Sequence, residues 1–313
     1  MMQRLLPAFN CKGLVWLMAC LLAALLQGCA GLPEQSSQQE AQSGPAAPTS
    51  SQKRLPKVGL ALGGGAARGF AHVGVIQVLE EAGIRPDLVT GTSAGSLVAA
   101  FYASGKNGAQ LQRLAETMDE ATFADWTLPF FSRGLLRGEA LARYVHQQIN
   151  GRLIEEMQIP LGIVATDLGT GQGVLFQRGN TATAVRASSA VPALFQPVRI
   201  AGRDYVDGGL VSPVPVRYAR QMGAELVIAV DISSAPESNG ASDTLQVLLQ
   251  TFTIMGRSIN SLELREAEVV VRPSLNSVSS ADFGARRQSI EAGRSAMRRM
   301  LPQLIAALEA KSR

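Results

Sequence analysis

The stretch VTGTSAGSLVAA, Val89–Ala100, decides the fold and raises the question of function. An apolar strand runs into Gly-x-Ser-x-Gly, and an apolar helix follows at once. Such a strand–turn–helix context exposes the serine hydroxyl at a helix N-terminus, as required of a nucleophile. The alternative is a tight turn with a capping serine. A nucleophilic serine usually relies on histidine as its base, and this chain has only His72 and His146.

A second glycine-rich turn, GGGAARG, follows an apolar strand at Gly63–Gly69. Its backbone N–H groups can converge on an anion. A dinucleotide-binding loop, Gly-x-Gly-x-x-Gly, is disfavoured because Arg68 stands where the third glycine would follow Gly63 and Gly65. A P-loop is disfavoured because the Lys-Ser/Thr pair is missing. The pattern favours an oxyanion hole in the loop Gly63, Gly64 and Gly65. We expect Gly64 and Gly65 to donate and Arg68 to reinforce the field.

An acidic residue ends a third apolar segment, YVDGG, in which Asp207 precedes Gly208 and Gly209. The glycines leave such a carboxylate little shielded, which suits a base. The alternative is a simple turn residue, since Asp-Gly is a frequent turn pair.

Strand-like and helix-like segments alternate along most of the chain, which predicts an α/β domain over 55–313. We expect three α/β/α layers around a mainly parallel central sheet. Beyond the two strand–turn–helix units, the pattern predicts helices at 139–150, 215–222, 244–264 and 301–310. In the third of these, the apolar residues are expected on one side of the helix, namely Leu245, Leu248, Leu249, Phe252, Ile259 and Leu262.

The N-terminal region is not expected to belong to the folded domain. Residues 1–28 have a basic start and an apolar run at 14–26, as in a secretory signal peptide. The run ends in Leu-Gln-Gly-Cys29, which looks like a bacterial lipobox in which the cysteine is lipidated. The alternatives are a secreted protein cut near Ala30 or an uncleaved anchor. Residues 29–54 are rich in Ser, Gln, Ala and Pro, which predicts a flexible tether.

The remaining composition limits the partners. The net charge of +4 is small, and without a basic stripe nucleic acid is an unlikely partner class. Cys11 and Cys20 fall inside the signal, so no thiolate metal site or disulfide is expected, and no cofactor either. The aromatic cluster of the segment 121–136 would be an acyl-binding flap, a membrane-touching edge or core beneath a loop; its members are Phe123, Trp126, Phe130 and Phe131.

GGGAARGFAHVGV, GTSAGS and DGG, in this order, resemble the patatin-like phospholipase family, and its bacterial members in particular. ATDLGTG and ASSAVPALFQPV also resemble segments of that family. The resemblance implies a Ser–Asp dyad without histidine, with Ser93 as nucleophile and Asp207 as base. The motif glycines would be Gly91, Gly95, Gly208 and Gly209. Unlike the plant proteins, this chain has Leu62 before the glycines and two alanines, Ala66 and Ala67, before Arg68.

The resemblance and the lipobox together predict a membrane-tethered serine acyl hydrolase acting on phospholipid or lysophospholipid esters. Ala30 after Cys29 is similar to the pattern of lipoproteins sent to the outer membrane, which predicts an envelope location facing the periplasm. The rivals are an esterase or thioesterase on another substrate, a non-catalytic lipid-binding envelope lipoprotein, and a nucleotide-binding domain. If Asp207 were only a turn residue, His72 and Asp167 would be the next candidates for the base.

Overall fold

The structure is a computed structural model that describes residues 54–118, 125, 134–234 and 243–313. The predicted signal peptide 1–28, Cys29 and the predicted tether up to residue 53 lie outside the described residues, as do Phe123, Trp126, Phe130 and Phe131. Arg54, the last residue of the predicted tether, forms an ion pair with Glu225 at 2.7 Å. Its backbone also exchanges hydrogen bonds with Arg313.

Strands and helices alternate as the sequence predicts. The strands are β1 Val58–Leu62, β2 Leu88–Thr92, β3 Gly134–Leu136, β4 Leu161–Asp167, β5 Gly173–Phe176, β6 Ala193–Phe195, β7 Val198–Ile200, β8 Arg203–Asp207, β9 Leu226–Val230 and β10 Val269–Val271. The helices are α1 Phe70–Glu81, α2 Ala94–Ala103, α3 Gly108–Thr117, α4 Glu139–Gln148, α5 Thr181–Ser188, α6 Val216–Gln221, α7 Thr244–Glu263 and α8 Arg286–Lys311.

The central sheet has the strand order β10-β9-β1-β2-β4-β8-β7, and β5 pairs with β4 as well. The five strands from β10 to β4 are parallel. β5, β7 and β8 pair antiparallel with their neighbours. In the register of the ladder, Leu62 lies beside Gly91 and Val230, and Ala165 lies beside Asp207. The ends of β1, β2 and β8 therefore bring the three sequence motifs to one edge of the sheet.

The two faces of the sheet pack against different helices, because successive side chains of a strand point to opposite sides. On one face Leu60 and Leu62 join α1, α2 and α8 in the largest core cluster. On the other face Ala61 packs with α6 around Val216 and Ala219. Helices thus cover both sides of a mainly parallel sheet, and the predicted α/β class is confirmed.

The C-terminal helix α8 is much longer than the predicted helix at 301–310. It crosses α1 so closely that glycine is needed on both partners. A Cβ on Gly74 would collide with the carbonyl oxygen of Ile290, and a Cβ on Gly293 with that of Ala71. Small residues at this crossing give a weak hydrophobic pattern, which explains why the sequence did not reveal the first half of the helix.

Helix α7 begins and ends close to its predicted limits, but its orientation differs from the expectation. Leu248 and Leu262 are exposed, by 36% and 65%, although the pattern placed them on the same side as the half-buried Leu249. The prediction for these two residues is wrong.

None of the helices in the described ranges combines the length and the hydrophobicity that a membrane span requires.

Candidate active site

Ser93 occupies the sharp bend between β2 and α2. Its φ of 51° and ψ of −124° lie in a region that non-glycine residues rarely adopt. The two motif glycines make the bend possible. A Cβ on Gly91 would lie 2.5 Å from the carbonyl oxygen of Gly95, and a Cβ on Gly95 would collide with the carbonyl oxygen of Leu62. The backbone therefore holds the Ser93 hydroxyl away from the sheet, at the N-terminus of α2.

Asp207 ends β8 with its side chain only 6% exposed. Its Oδ1 accepts a hydrogen bond of 2.6 Å from the Gly209 amide, and the Ser93 side chain lies near enough to the carboxylate to help lower its pKa. Burial raises the pKa of Asp207 to about 6, and the interactions with Gly209 and Ser93 partly oppose that rise. The carboxylate is thus a stronger base than an exposed aspartate and remains ionised at neutral pH.

The strand β4 fixes the position of Asp207 relative to Ser93. The Thr166 hydroxyl donates to the Asp207 carbonyl at 2.8 Å, and the Asp207 amide donates to Ala190 at 3.0 Å. A Cβ on Gly208 would collide with the carbonyl oxygen of Val164. The Asp-Gly-Gly sequence thus permits the chain to turn directly against β4 while the carboxylate points to Ser93.

A second serine, Ser188, is hydrogen-bonded to the backbone of the Ser93 elbow. It was not identified as a site residue from the sequence. The Ser93 amide donates to Ser188 Oγ at 2.9 Å, and this hydroxyl donates in turn to the Val164 carbonyl at 2.6 Å. Ser188 is fully buried. Its segment, ASSAVPALFQPV, already resembled the family, and that resemblance was the available signal.

In the glycine loop, the amides that the structure leaves without an acceptor differ from the pair expected to be donors. The Gly63 amide donates to the Val230 carbonyl at 3.0 Å and the Gly64 amide to the Pro213 carbonyl at 2.9 Å. Gly63 and Gly64 are therefore held within the fold. Among the described residues, the amides of Gly65 and Ala66 have no acceptor, and Ala66 borders the same cavity as Ser93. The geometry moves the expected donor pair from Gly64 and Gly65 to Gly65 and Ala66.

Arg68 lies apart from this arrangement. Its side chain is buried, and Asp231, at the end of β9, is the nearby charge that opposes the lowering of its pKa by burial. It does not line the cavity into which Ser93 opens. The expectation that Arg68 reinforces the field at the oxyanion is not supported by this position. The residue belongs instead to the 3₁₀ turn Ala66–Gly69, with its side chain inside the fold.

Neither histidine contacts Ser93 within the described structure. His72 is fully buried and shares a hydrogen bond of 2.8 Å with the Gly63 carbonyl. Burial lowers its pKa to about 4, so the ring is neutral and Nε2–H donates to the loop. His146 is exposed on α4. Asp167, the other candidate base, forms an ion pair with Arg203 at 2.9 Å and caps the amides of Gly169 and Thr170.

The segment Ser212–Val214 connects the active-site loops to helix α7. Thr92, beside the nucleophile, donates to the Ser212 carbonyl at 2.8 Å, while Pro213 accepts from Gly64. From the other side, the buried carboxylate of Glu263 accepts from the Ser212 hydroxyl at 2.6 Å. Burial raises the pKa of Glu263 to about 6. No motif in the sequence pointed to this contact, because its partners lie 51 residues apart.

An apolar cavity of about 460 Å³ opens from Ser93 between α1, α2, α3 and α4. Its size lies within the range of small-ligand sites. Nearly all of its lining is hydrocarbon, and Ser93 and Ala66 both border it; the larger side chains are Phe70, Leu97, Phe101, Leu111, Leu114, Met118, Leu136, Leu141, Leu194, Phe195, Leu249 and Phe283. The cavity suits an acyl chain better than a polar or charged substrate. In the described part of the chain, no three His, Cys, Asp or Glu residues are placed to hold a metal ion.

Known proteins are similar to this chain in sequence and in fold. A protein of Mycobacterium tuberculosis named as an uncharacterized NTE family protein is 35% identical over 208 residues, which cover 66% of this chain and 58% of the relative. Human patatin-like phospholipase domain-containing protein 6 is 35% identical over 190 residues, covering 58% of this chain and 14% of that protein. The chain thus spans less than two thirds of the length of either relative.

Among solved structures, VipD from Legionella pneumophila is similar in fold, with a TM-score of 0.57 and 17% identity over 80% of this chain and 67% of VipD. The family model of the patatin-like phospholipases matches residues 60–220. That range contains the glycine loop, the serine elbow and the Asp-Gly-Gly turn. The chain belongs to the patatin-like phospholipase family.

Proposed function

We propose that the protein is a lipid ester hydrolase that cleaves phospholipid or lysophospholipid esters through an acyl-enzyme on Ser93. The observation that carries the proposal is the arrangement around Ser93. This serine, in a strained elbow, lies beside the buried Asp207 carboxylate and borders an apolar cavity. The family and the relatives support a lipid ester as substrate.

In the first step the Asp207 carboxylate takes the Ser93 proton while Oγ attacks the ester carbonyl carbon. The raised pKa of Asp207 narrows the difference in basicity between the carboxylate and the serine alkoxide, and the proximity of the two side chains would allow proton transfer to accompany attack. The carbonyl oxygen becomes an oxyanion. Collapse of the tetrahedral intermediate breaks the ester bond, and the leaving alcohol takes the proton back from Asp207.

Two sources of positive potential would stabilise the oxyanion. They are the free amides of Gly65 and Ala66 and the N-terminus of α2, which begins at Ala94. The Ser93 amide donates to Ser188 and is not available. In the second half of the reaction water replaces the serine hydroxyl: Asp207 takes its proton, hydroxide adds to the acyl carbon, and the fatty acid leaves as Ser93 recovers its proton.

The decisive experiment combines an active-site probe with a substrate panel. A fluorophosphonate should label the wild-type protein and leave Ser93→Ala unlabelled, and only the wild type should release fatty acid from a panel of phospholipids and lysophospholipids. Ser96→Ala is the matched control, because Ser96 lies one turn along and its buried hydroxyl bonds only to the Ser93 carbonyl. Turnover that survives in pure, folded Ser93→Ala protein would disprove the assignment of the nucleophile.

We also propose that a lipid on Cys29 tethers the protein to the outer membrane of a bacterial envelope, facing the periplasm. The support is the Leu-Gln-Gly-Cys sequence after an apolar run, with Ala30 following the cysteine. A tether of this kind raises the effective concentration of enzyme at its lipid substrate without new contacts. Metabolic labelling with a fatty-acid analogue, compared between wild type and Cys29→Ser, tests the anchor independently of activity.

A further inference from the structure

Helix α7 exposes an unusual amount of hydrocarbon. Val247, Ile254, Met255 and Leu262 are 54%, 51%, 52% and 65% exposed, and Leu248 is 36% exposed. Five of the eight exposed large hydrophobic residues in the described structure therefore lie on this one helix. With 3.6 residues per turn they share one side, which we call the apolar stripe. Contiguous exposed apolar surface marks an interaction site, whereas scattered single residues do not.

The helix also lacks the charges of an ordinary surface helix. From Thr244 to Gly256 there is no charged residue, although a helix facing water normally carries charges on its outer side. Its inward side, which includes Leu249, Phe252 and Ile259, is half-buried against the domain. The single exposed charge between Thr244 and Glu263 is the cation Arg257, since Glu263 is buried and bonded to Ser212.

The stripe is continuous with the active-site cavity. Leu249 lines the cavity that contains Ser93, and its neighbour Leu248 belongs to the stripe. An acyl chain that leaves a lipid layer at the stripe would meet apolar surface along its way into the cavity. A second copy of the protein bound to the same stripe would cover the helix that borders the cavity, and this arrangement gives an acyl chain no apolar route into the cavity.

We propose that the apolar stripe of α7 is the surface by which the protein docks on a lipid layer, and that the substrate acyl chain enters the cavity past Leu249. The proposal rests on the proposed function, because a lipid ester is the substrate that such a layer presents. The uncharged stripe would reach the acyl boundary, and Arg257 would favour anionic headgroups beside it.

A single-cysteine label tests the docking directly. In the full chain the three natural cysteines are replaced by serine, and Met255→Cys carries a polarity-sensitive fluorophore. Vesicles of phosphatidylcholine and phosphatidylglycerol should shift its emission to the blue. Ile305→Cys, on α8 and 47% exposed, is the control and should not respond. No shift at 255, an equal shift at both positions, or a vesicle-free shift that grows with protein concentration would overturn the proposal; the last would indicate a second copy.

Activity on two substrates gives an independent test. Ile254→Gln combined with Met255→Gln should lower phospholipid hydrolysis in vesicles about tenfold, because it removes apolar surface that enters the lipid. Hydrolysis of a dissolved short-chain ester should change by less than about twofold. An equal loss on both substrates would mean that the stripe supports the site itself and would overturn the proposal. If the wild type cleaves neither substrate, the proposed function fails, while the fluorescence result still decides the docking.

Discussion

Replacing Asp207 by asparagine should remove activity and stabilise the folded protein at neutral pH. Asparagine has nearly the same shape, and its oxygen can still accept the hydrogen bond from Gly209. It cannot accept the Ser93 proton. Loss of a general base typically lowers the rate by about 10²–10⁴. A residue that served only to turn the chain would tolerate the change, since Asn-Gly is an equally good turn pair.

The effect on stability follows from the burial of the carboxylate. The pKa of Asp207 rises from 3.8 to about 6 on folding. Each pH unit between the two values is worth about 1.4 kcal/mol, so the ionised group destabilises the fold by about 3 kcal/mol. Below pH 3.8 the group is protonated in both states and the penalty is absent; it grows between about pH 4 and 6 and is complete above pH 6. Asparagine carries no such penalty at any pH.

Urea denaturation at two pH values measures this difference. Asp207→Asn and wild type should have free energies of unfolding within about 0.5 kcal/mol at pH 4, and the variant should be more stable by about 3 kcal/mol at pH 8. Glu263 titrates in the same range in both proteins, so its contribution cancels. On a short-chain ester, the wild-type kcat/KM at pH 5 should be about a tenth of its plateau value. A stability difference that is independent of pH, or activity of Asp207→Asn within threefold of wild type, would refute the reasoning.

Substitutions at four further positions test separate parts of the protein. His72→Ala should lower the free energy of unfolding by about 2 kcal/mol in urea because the Gly63 carbonyl loses its buried donor, yet the folded enzyme should keep its activity within about tenfold; a thousandfold loss would favour a hidden triad. Ser93→Gly should melt at a higher temperature than Ser93→Ala, because glycine relieves the positive φ at the elbow, and equal melting temperatures would contradict the strain. Glu263→Ala should lower kcat about tenfold with little change in KM and Glu263→Gln should restore it; no rescue would count against positioning through the Ser212 hydrogen bond. Cys29→Ser should move the protein out of the membrane fraction, and a tightly membrane-held variant of mature mass would contradict the lipobox.

The elements that the sequence predicts well are those with local signals. The serine elbow requires glycine on both sides of Ser93, because a Cβ on Gly95 would collide with Leu62. The Asp207 turn likewise needs the small Gly208 against Val164. Such steric demands leave a mark in the sequence at fixed spacing. The alternation of strands and helices was therefore enough to predict the sheet, whereas the pairing of Ser93 with Asp207 was implied by the resemblance to the patatin-like phospholipases.

The parts that the sequence does not reveal depend on long-range partners. The donor assignment in the glycine loop changed because Gly64 is held by Pro213, which lies far along the chain and carries no motif of its own. Helix α7 has apolar residues on two sides, so periodicity alone could not tell the inward Leu249 from the outward Leu248. Ser188 and Glu263 are ordinary residues whose roles arise only from the groups that surround them after folding.

The position of α7 between the proposed lipid surface and the active-site loops bears on the residence time of the protein on lipid. Its outer side carries the apolar stripe, while Glu263 on its other side holds Ser212, next to the residue that fixes Gly64. Thermodynamic linkage between two sites is reciprocal. If lipid contact changes the affinity of the active site for a tetrahedral adduct by a certain factor, formation of the adduct changes the affinity of the protein for lipid by the same factor. If lipid contact at the proposed docking surface tightens the site around such an adduct, a phosphonate on Ser93 would slow desorption and release of the fatty acid would hasten it. The time spent at the lipid surface would then depend on whether Ser93 is acylated.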